Sequence, residues 1–150
     1  MNRLLTALCV ACALGSADCA ADPSSTRPDC QMALASATAL ADRFDRGDAN
    51  LTYQDAADLA WVAMPEYRDT LVLRGCAPLF PQFESLATSG LRSTRIDARA
   101  LLLQACTVRS GPADDKEARV AKEATREEGR AGLKLLGEDA SECVKPSKES

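Results

Sequence analysis

Residues 94–108 read TRIDARALLLQACTV, and this stretch decides the fold. Its apolar residues lie on nearly every side of a 3.6-residue helical period, which is typical of a helix enclosed by other helices. Thr94 and Asp97, three residues apart, match a helix start signal, and Gly111-Pro112 supplies the stop signal. We therefore predict a central helix here, with the rest of the chain packed around it.

The composition extends the helical prediction to the whole chain. Alanine, the strongest helix former, occurs 27 times among the 150 residues, whereas valine and isoleucine together number six after residue 21. The length is that of a single domain. We predict an all-α fold, a compact bundle of about five to six helices stapled by two disulfides.

Two earlier helices carry the same start signal, a threonine followed three residues later by an aspartate, at Thr26–Asp29 and Thr52–Asp55. Gly47 ends the first of them. Pro65 ends the second and suits the first turn of a short third helix. Two prolines exclude one regular element over residues 77–83, so we predict an ordered loop there that leads into a short fourth helix.

The last helix, over residues 113–136, has a different character. Of the final 40 residues 18 are charged, with both signs mixed, and the apolar positions are mostly alanine. We predict that this helix packs by one narrow face that contains Ala121, Ala124 and Ala131. Gly129 and Gly132 are expected to weaken its second half by about 1 kcal/mol each.

The N-terminus predicts export. A positively charged start is followed by a short apolar stretch and small residues up to Ala21, which is the pattern of a signal peptide. The apolar stretch is shorter than the roughly 20 residues that span a bilayer, so we predict no transmembrane segment. The resulting division is a signal peptide at 1–21, a helical domain at 22–145 and a polar tail at 146–150, in a periplasmic or secreted protein.

The cleavage point decides the fate of Cys19. Cleavage after Ala21 removes it, whereas cleavage after Ala17 leaves it as an odd thiol. Lipoprotein anchoring through Cys19 is less favoured, because Asp18 stands where a small residue is normally required.

Four cysteines remain after residue 21, at Cys30, Cys76, Cys106 and Cys143. An even number in an exported domain indicates two disulfides. Two of the four lie on core-facing helices and two lie near helix ends. We favour the pairing of like with like, Cys30–Cys106 with Cys76–Cys143, and keep the sequential pairing Cys30–Cys76 with Cys106–Cys143 as the alternative.

The residue inventory excludes several classes of enzyme. The chain contains no histidine, so Ser-His and Cys-His nucleophile pairs and histidine-based zinc sites cannot form. No nucleophile elbow and no glycine-rich phosphate loop occurs. The adjacent carboxylates Asp114-Asp115 and Glu127-Glu128 point about 100° apart on a helix, and we interpret them as solvated charges. We predict no enzymatic activity, no cofactor and no metal site.

The remaining class is a binding protein. The net charge of −4 disfavours nucleic acid, which leaves a protein partner as the expectation. Loops held by a rigid scaffold commonly carry binding, so we predict that a partner contacts two stretches, Asp45 to Tyr53 and Cys76 to Phe83. The candidate partner-binding residues are Asp45 and Asp48 in the first, and Leu79, Phe80 and Phe83 in the second. The alternative is that these three apolar residues cap the core.

The chain also resembles a known family through its early Cys30, the alanine-rich segment Asp55–Trp61 and the later LLLQAC of residues 101–106. It is similar to the small periplasmic immunity proteins that neutralise type VI secretion amidase effectors. The resemblance implies a helical inhibitor that occludes the cleft of a secreted cell-wall amidase, often as a homodimer. The alternatives are an envelope-associated accessory or structural protein and a helical carrier of an apolar ligand.

Overall fold

The structure, a computed structural model, describes residues 27–70 and 74–143. The predicted signal peptide, the start of the predicted domain and the polar tail lie outside these residues. The described part is all-α without strands and carries two disulfides, as predicted. It contains α1 (Pro28–Arg46), α2 (Tyr53–Trp61), α3 (Pro65–Arg68), α4 (Phe80–Leu91), α5 (Ala98–Cys106) and α6 (Lys116–Leu135), with 3₁₀ turns at Arg74–Leu79 and Ser141–Cys143.

Several helix ends follow from the local sequence as predicted. The Asp55 N–H donates to the Thr52 hydroxyl (3.3 Å), and the Thr52 N–H donates to the Asp55 carboxylate (2.8 Å), which forms a capping box at the start of α2. Gly47 ends α1 at φ 70°, a left-handed conformation that glycine adopts without strain. Pro65 occupies the first turn of α3.

Two predicted caps are wrong. Arg27 is the N-cap of α1 and makes no capping bond, and Thr26 lies outside the described residues. At α5 the N-cap is Asp97, whose carboxylate accepts from the Ala100 N–H (3.0 Å), whereas Thr94 lies in the preceding turn. Aspartate caps helices as well as threonine does, so the pattern alone did not place the first residue.

The capping residues give a matched pair of variants. We expect Thr52→Ala to lower the free energy of unfolding by about 1 kcal/mol, because it leaves the Asp55 N–H without its acceptor. Thr94→Ala, at an exposed position that caps nothing, should leave stability within about 0.5 kcal/mol of the parent. Urea denaturation of both variants checks this, and equal losses would contradict the assigned helix starts.

The central helix is α2 rather than α5. It is in contact with all four of the other long helices, α1, α4, α5 and α6. Its alanines at Ala56, Ala57 and Ala60 are completely buried and allow the neighbouring helices to approach closely. The core is filled by the largest buried side chains of all five long helices, Phe44, Leu59, Phe83, Leu102 and Leu133. An apolar pattern therefore predicted the burial of α5 without revealing which helix touches the most neighbours.

The narrow packing face of α6 is confirmed, but its residues differ from the prediction. Of the predicted alanines, Ala121 and Ala124 are exposed and Ala131 is half-buried. The buried residues are Thr125, Gly129, Gly132 and Leu133. A Cβ atom added at Gly129 would lie 2.6 Å from the Cys106 backbone nitrogen and 2.9 Å from the Leu102 carbonyl oxygen. Gly129 thus lets the backbones of α5 and α6 touch, a role that the predicted weakening of the helix by its glycines did not include.

The disulfide pairing is sequential, so the favoured pairing is wrong. Cys30 is bonded to Cys76 with a Cα separation of 5.7 Å, and Cys106 is bonded to Cys143 at 5.2 Å. The helix face on which a cysteine lies predicts its burial but not its neighbour. Because α1 packs on α4 and α5 packs on α6, Cys30 meets the turn before α4 and Cys106 meets the turn after α6.

Candidate partner-binding surface

Helices α1 and α4 lie side by side and run in the same direction. The Cys30–Cys76 disulfide joins their starts, and the Ser93 hydroxyl donates to the Phe44 carbonyl oxygen (3.1 Å) at their ends. Near the end of α4, the Cβ position of Gly90 lies 3.2 Å from the Ala41 Cα. The pair forms one wall of the bundle, and both predicted binding stretches belong to it.

The apolar stretch at the start of α4 faces inward. Phe83 is completely buried and Leu79 is 5% exposed. Phe80 is half-buried beneath the Arg68 guanidinium, which lies 5.5 Å from the ring centre and donates to Glu84 (3.0 Å). These positions agree with the alternative that the three apolar residues cap the core.

Phe83 also belongs to an aromatic cluster. Its ring meets Tyr67 edge-on at 5.7 Å, and Tyr67 meets Trp61 edge-on at 5.9 Å. Burial raises the pKa of the Tyr67 phenol above its ordinary value of 10.0. The cluster holds the short helix α3 against the start of α4 and gives that end of the wall a fixed shape.

In the acidic stretch after α1, Asp48 is bonded to neighbouring groups, whereas Asp45 is exposed to solvent. Asp48 accepts from Arg43 (2.9 Å) and from the Asn50 N–H (2.9 Å), and these bonds lower its pKa. Burial alone would raise the pKa of Asp55, but hydrogen bonds from Thr52 and from Arg43 (2.7 Å) lower it. Asp45 is exposed and is the freer of the two predicted carboxylates.

The two predicted stretches do not meet. Leu79 to Phe83 lie at the start of the α1–α4 wall, whereas Asp45 and Asp48 lie at its end. α4 has 12 residues, so the helix separates them by about 18 Å. A partner that touches both stretches must therefore lie along α4 itself.

The outward side of α4 carries two adjoining open grooves that the sequence reading missed. One has a volume of about 630 Å³ and is lined by Pro81, Glu84, Ser85, Thr88, Ser89 and Arg92. The other, about 400 Å³, lies between α1 and α4 and is lined by Leu34, Thr38, Pro81, Gln82, Ser85 and Leu86. Pro81 and Ser85 belong to both grooves. We call the residues of the two grooves together the α4 face.

The middle of the α4 face is lined by small polar side chains. Its centre is formed by short hydroxyl side chains on successive turns, at Ser85, Thr88 and Ser89, which leave room for a partner's side chains. The periodic spacing of small polar residues on a predicted helix was the available sequence signal. Within the described ranges, no cluster of three or more histidine, cysteine, aspartate or glutamate side chains is arranged to hold a metal ion.

The paired carboxylates of the sequence separate into different environments. Glu127 is exposed and paired with Arg130, as expected of a solvated charge. Asp114 is partly buried and bonded to Lys122 (2.5 Å), which lowers its pKa. For Glu128 the interpretation as a solvated charge is wrong, because it is half-buried, and burial together with Asp58 raises its pKa to about 7.

Comparison with known proteins finds no matching protein-family model, no similar curated protein and no similar solved structure. In the described part of the chain, no helix has both the length and the apolar character that crossing a bilayer requires. Both disulfides are formed and their cysteines are buried, which is compatible with an oxidising compartment outside the cytoplasm.

Proposed function

We propose that this is an exported, disulfide-stabilised binding protein that recognises another protein through the α4 face. The observation that carries the proposal is this open face, built on a wall whose start is fixed by the buried Cys30–Cys76 disulfide. A rigid surface loses little conformational entropy on association, so a larger share of the contact energy appears as affinity.

The partner we propose is a secreted cell-wall amidase, with this protein acting as its periplasmic immunity protein. Three features support it: the export pattern at the N-terminus, the resemblance in the early cysteine and LLLQAC segments, and an ordered helical scaffold. An inhibitor of this kind acts by contact, and it needs only a surface that fits the rim or cleft of the enzyme.

A pair of substitutions tests the surface. We expect Ser85→Arg, at the position shared by both grooves, to weaken partner binding about 30-fold or more, because a bulky charge at the centre of an interface prevents close contact. Ala121→Arg, an equally exposed change on α6, should bind like the parent. The measurement is inhibition of peptidoglycan hydrolysis by the amidase, titrated with each variant.

The melting temperature of each variant must be measured in parallel. Both positions are exposed, so neither change should lower the melting temperature appreciably. Unchanged inhibition by Ser85→Arg would remove the α4 face from the proposal. Absence of inhibition by the parent protein at a large excess would remove the amidase as the partner.

A further inference from the structure

The contact between α2 and α6 is polar along one edge. The buried Thr125 donates its hydroxyl to the Gln54 side-chain oxygen (3.2 Å), and the Gln54 amide donates to Asp58 (2.8 Å). Further along the same two helices, the Cβ position of Gly132 lies 3.0 Å from the Ala60 Cβ, so Glu128, which lies between Thr125 and Gly132 on α6, is half-buried at the level of the exposed Asp58. Its neighbour Gly129 is packed against the backbone of α5, so α6 cannot move Glu128 outward without breaking that contact.

In the part of the chain that the structure describes, no cation is paired with either of these two carboxylates. The α6 residues one turn from Glu128 are uncharged, and within residues 27–70 and 74–143 neither Glu128 nor Asp58 takes part in an ion pair. The nearby cations of α6 bind elsewhere, in the pairs Lys122–Asp114, Arg126–Glu123 and Arg130–Glu127.

The helices that pack against α6 supply no counter-charge either. On α2 the other charged residue is Asp55, which is bonded to Arg43. On α5 the charged residue is Arg99, which pairs with Glu138 and Glu142 beyond the end of α6. Glu128 and Asp58 therefore face each other as like charges whenever both are ionised.

We propose that Glu128 and Asp58 form a pH-sensitive contact that controls how tightly α6 docks on α2. Protonation of Glu128 removes the repulsion and closes the contact. Ionisation of Glu128 leaves its half-buried carboxylate beside the exposed Asp58 carboxylate without a paired cation, and the first half of α6, which has few buried residues, opens more readily.

The sign and the pH range follow from proton binding. The pKa of Glu128 is about 7 in the folded protein against 4.5 when unperturbed, so folding takes up a proton between these values and stability falls as the pH rises through them. Asp48, Asp55 and Asp114 have pKa values lowered from 3.8, and their contributions are lost only at more acidic pH. The chain has no histidine to titrate in the same range.

The test compares thermal unfolding and amide exchange at pH 5 and pH 8, at fixed ionic strength, with exchange corrected for its intrinsic pH dependence. The parent protein should melt several degrees lower at pH 8, and opening of residues 116–128 should be about tenfold more favourable there. Glu128→Gln should abolish both changes. Asp58→Asn should be more stable than the parent at both pH values and should show a smaller difference between pH 5 and pH 8.

Glu127→Gln is the matched control, because Glu127 is exposed next to Glu128 and paired with Arg130; this variant should keep the parent's pH dependence. Equal stability and exchange of the parent at pH 5 and pH 8 would overturn the proposal. A Glu128→Gln variant that retains the parent's pH dependence would overturn it as well.

Discussion

Replacing Gly129 with alanine is expected to lower the free energy of unfolding by about 3 kcal/mol, a large share of the stability of a domain of this size. The added Cβ would lie 2.6 Å from the Cys106 nitrogen and 2.9 Å from the Leu102 carbonyl oxygen. These are backbone atoms, which can move only if α5 and α6 separate. Helix propensity alone predicts the opposite sign, a stabilisation of about 1 kcal/mol.

Alanine substitutions at two further glycines, Gly132 and Gly111, allow the destabilisation to be compared at sites with less crowding. At Gly132 the nearest atom is the end of the Leu102 side chain, 2.5 Å away, so a change of side-chain conformation can relieve part of the clash. Gly111 lies in a loop and a Cβ there meets nothing closer than 3.7 Å. We expect destabilisation in the order Gly129→Ala, Gly132→Ala, Gly111→Ala, with the last close to zero. Chemical denaturation that shows Gly129→Ala as stable as the parent would contradict the close contact of the two backbones.

Reduction of the two disulfides is expected to lower the melting temperature by tens of degrees. The bonds close loops with sequence separations of 46 and 37 residues, and each restricts the unfolded chain enough to contribute about 2–4 kcal/mol. Their sum approaches the total stability of an ordinary domain. The measurement is thermal unfolding followed by circular dichroism, with and without reductant.

The pairing itself is checked by proteolysis and peptide mapping without reduction. Linked peptides should contain Cys30 with Cys76 and Cys106 with Cys143. As a control, the double variant Cys106→Ser with Cys143→Ser should keep the first bridge and lose stability only partly. A linked peptide that contains Cys30 and Cys106 would contradict the arrangement of the helices.

The sequence predicted those features that depend on a few adjacent residues. The capping box of Thr52 and Asp55, the left-handed stop at Gly47 and the first-turn proline Pro65 are each formed by contacts within one turn of the chain. Burial of Cys30 and Cys106 also followed, because helical period determines which face is apolar.

Features that depend on which helices are neighbours could not be predicted in this way. The pairing of Cys30 with Cys76 requires that α1 lie beside α4, and no local sequence pattern predicts which helices are neighbours. The sequence did not predict the role of Gly129, because the absence of a side chain matters only where another backbone occupies the space that the side chain would fill. Glu128 looked like a solvated charge because its opposing carboxylate, Asp58, is 70 residues away in the sequence.

The candidate partner-binding surface also depends on contacts between helices, which local sequence patterns do not predict. Leu79, Phe80 and Phe83 were chosen as apolar residues in an exposed loop, but that segment begins a helix whose apolar side turns inward. The hydroxyl residues on the opposite side of the same helix, such as Ser85, offered only the helical spacing of small polar residues, which does not by itself indicate binding. Their importance rests on the shape formed with α1, which is a property of the fold.

Quantitative capture from the producing cells would show directly whether this exported scaffold binds a protein partner through the α4 face. Oxidised parent protein, Ser85→Arg and Ala121→Arg would be used as baits under identical conditions, with bound proteins measured by mass spectrometry. We predict that one cell-wall amidase is enriched in a near-equimolar amount by the parent and by Ala121→Arg, and is lost with Ser85→Arg. Recovery of no amidase with the parent, or equal recovery with all three baits, would contradict the claim.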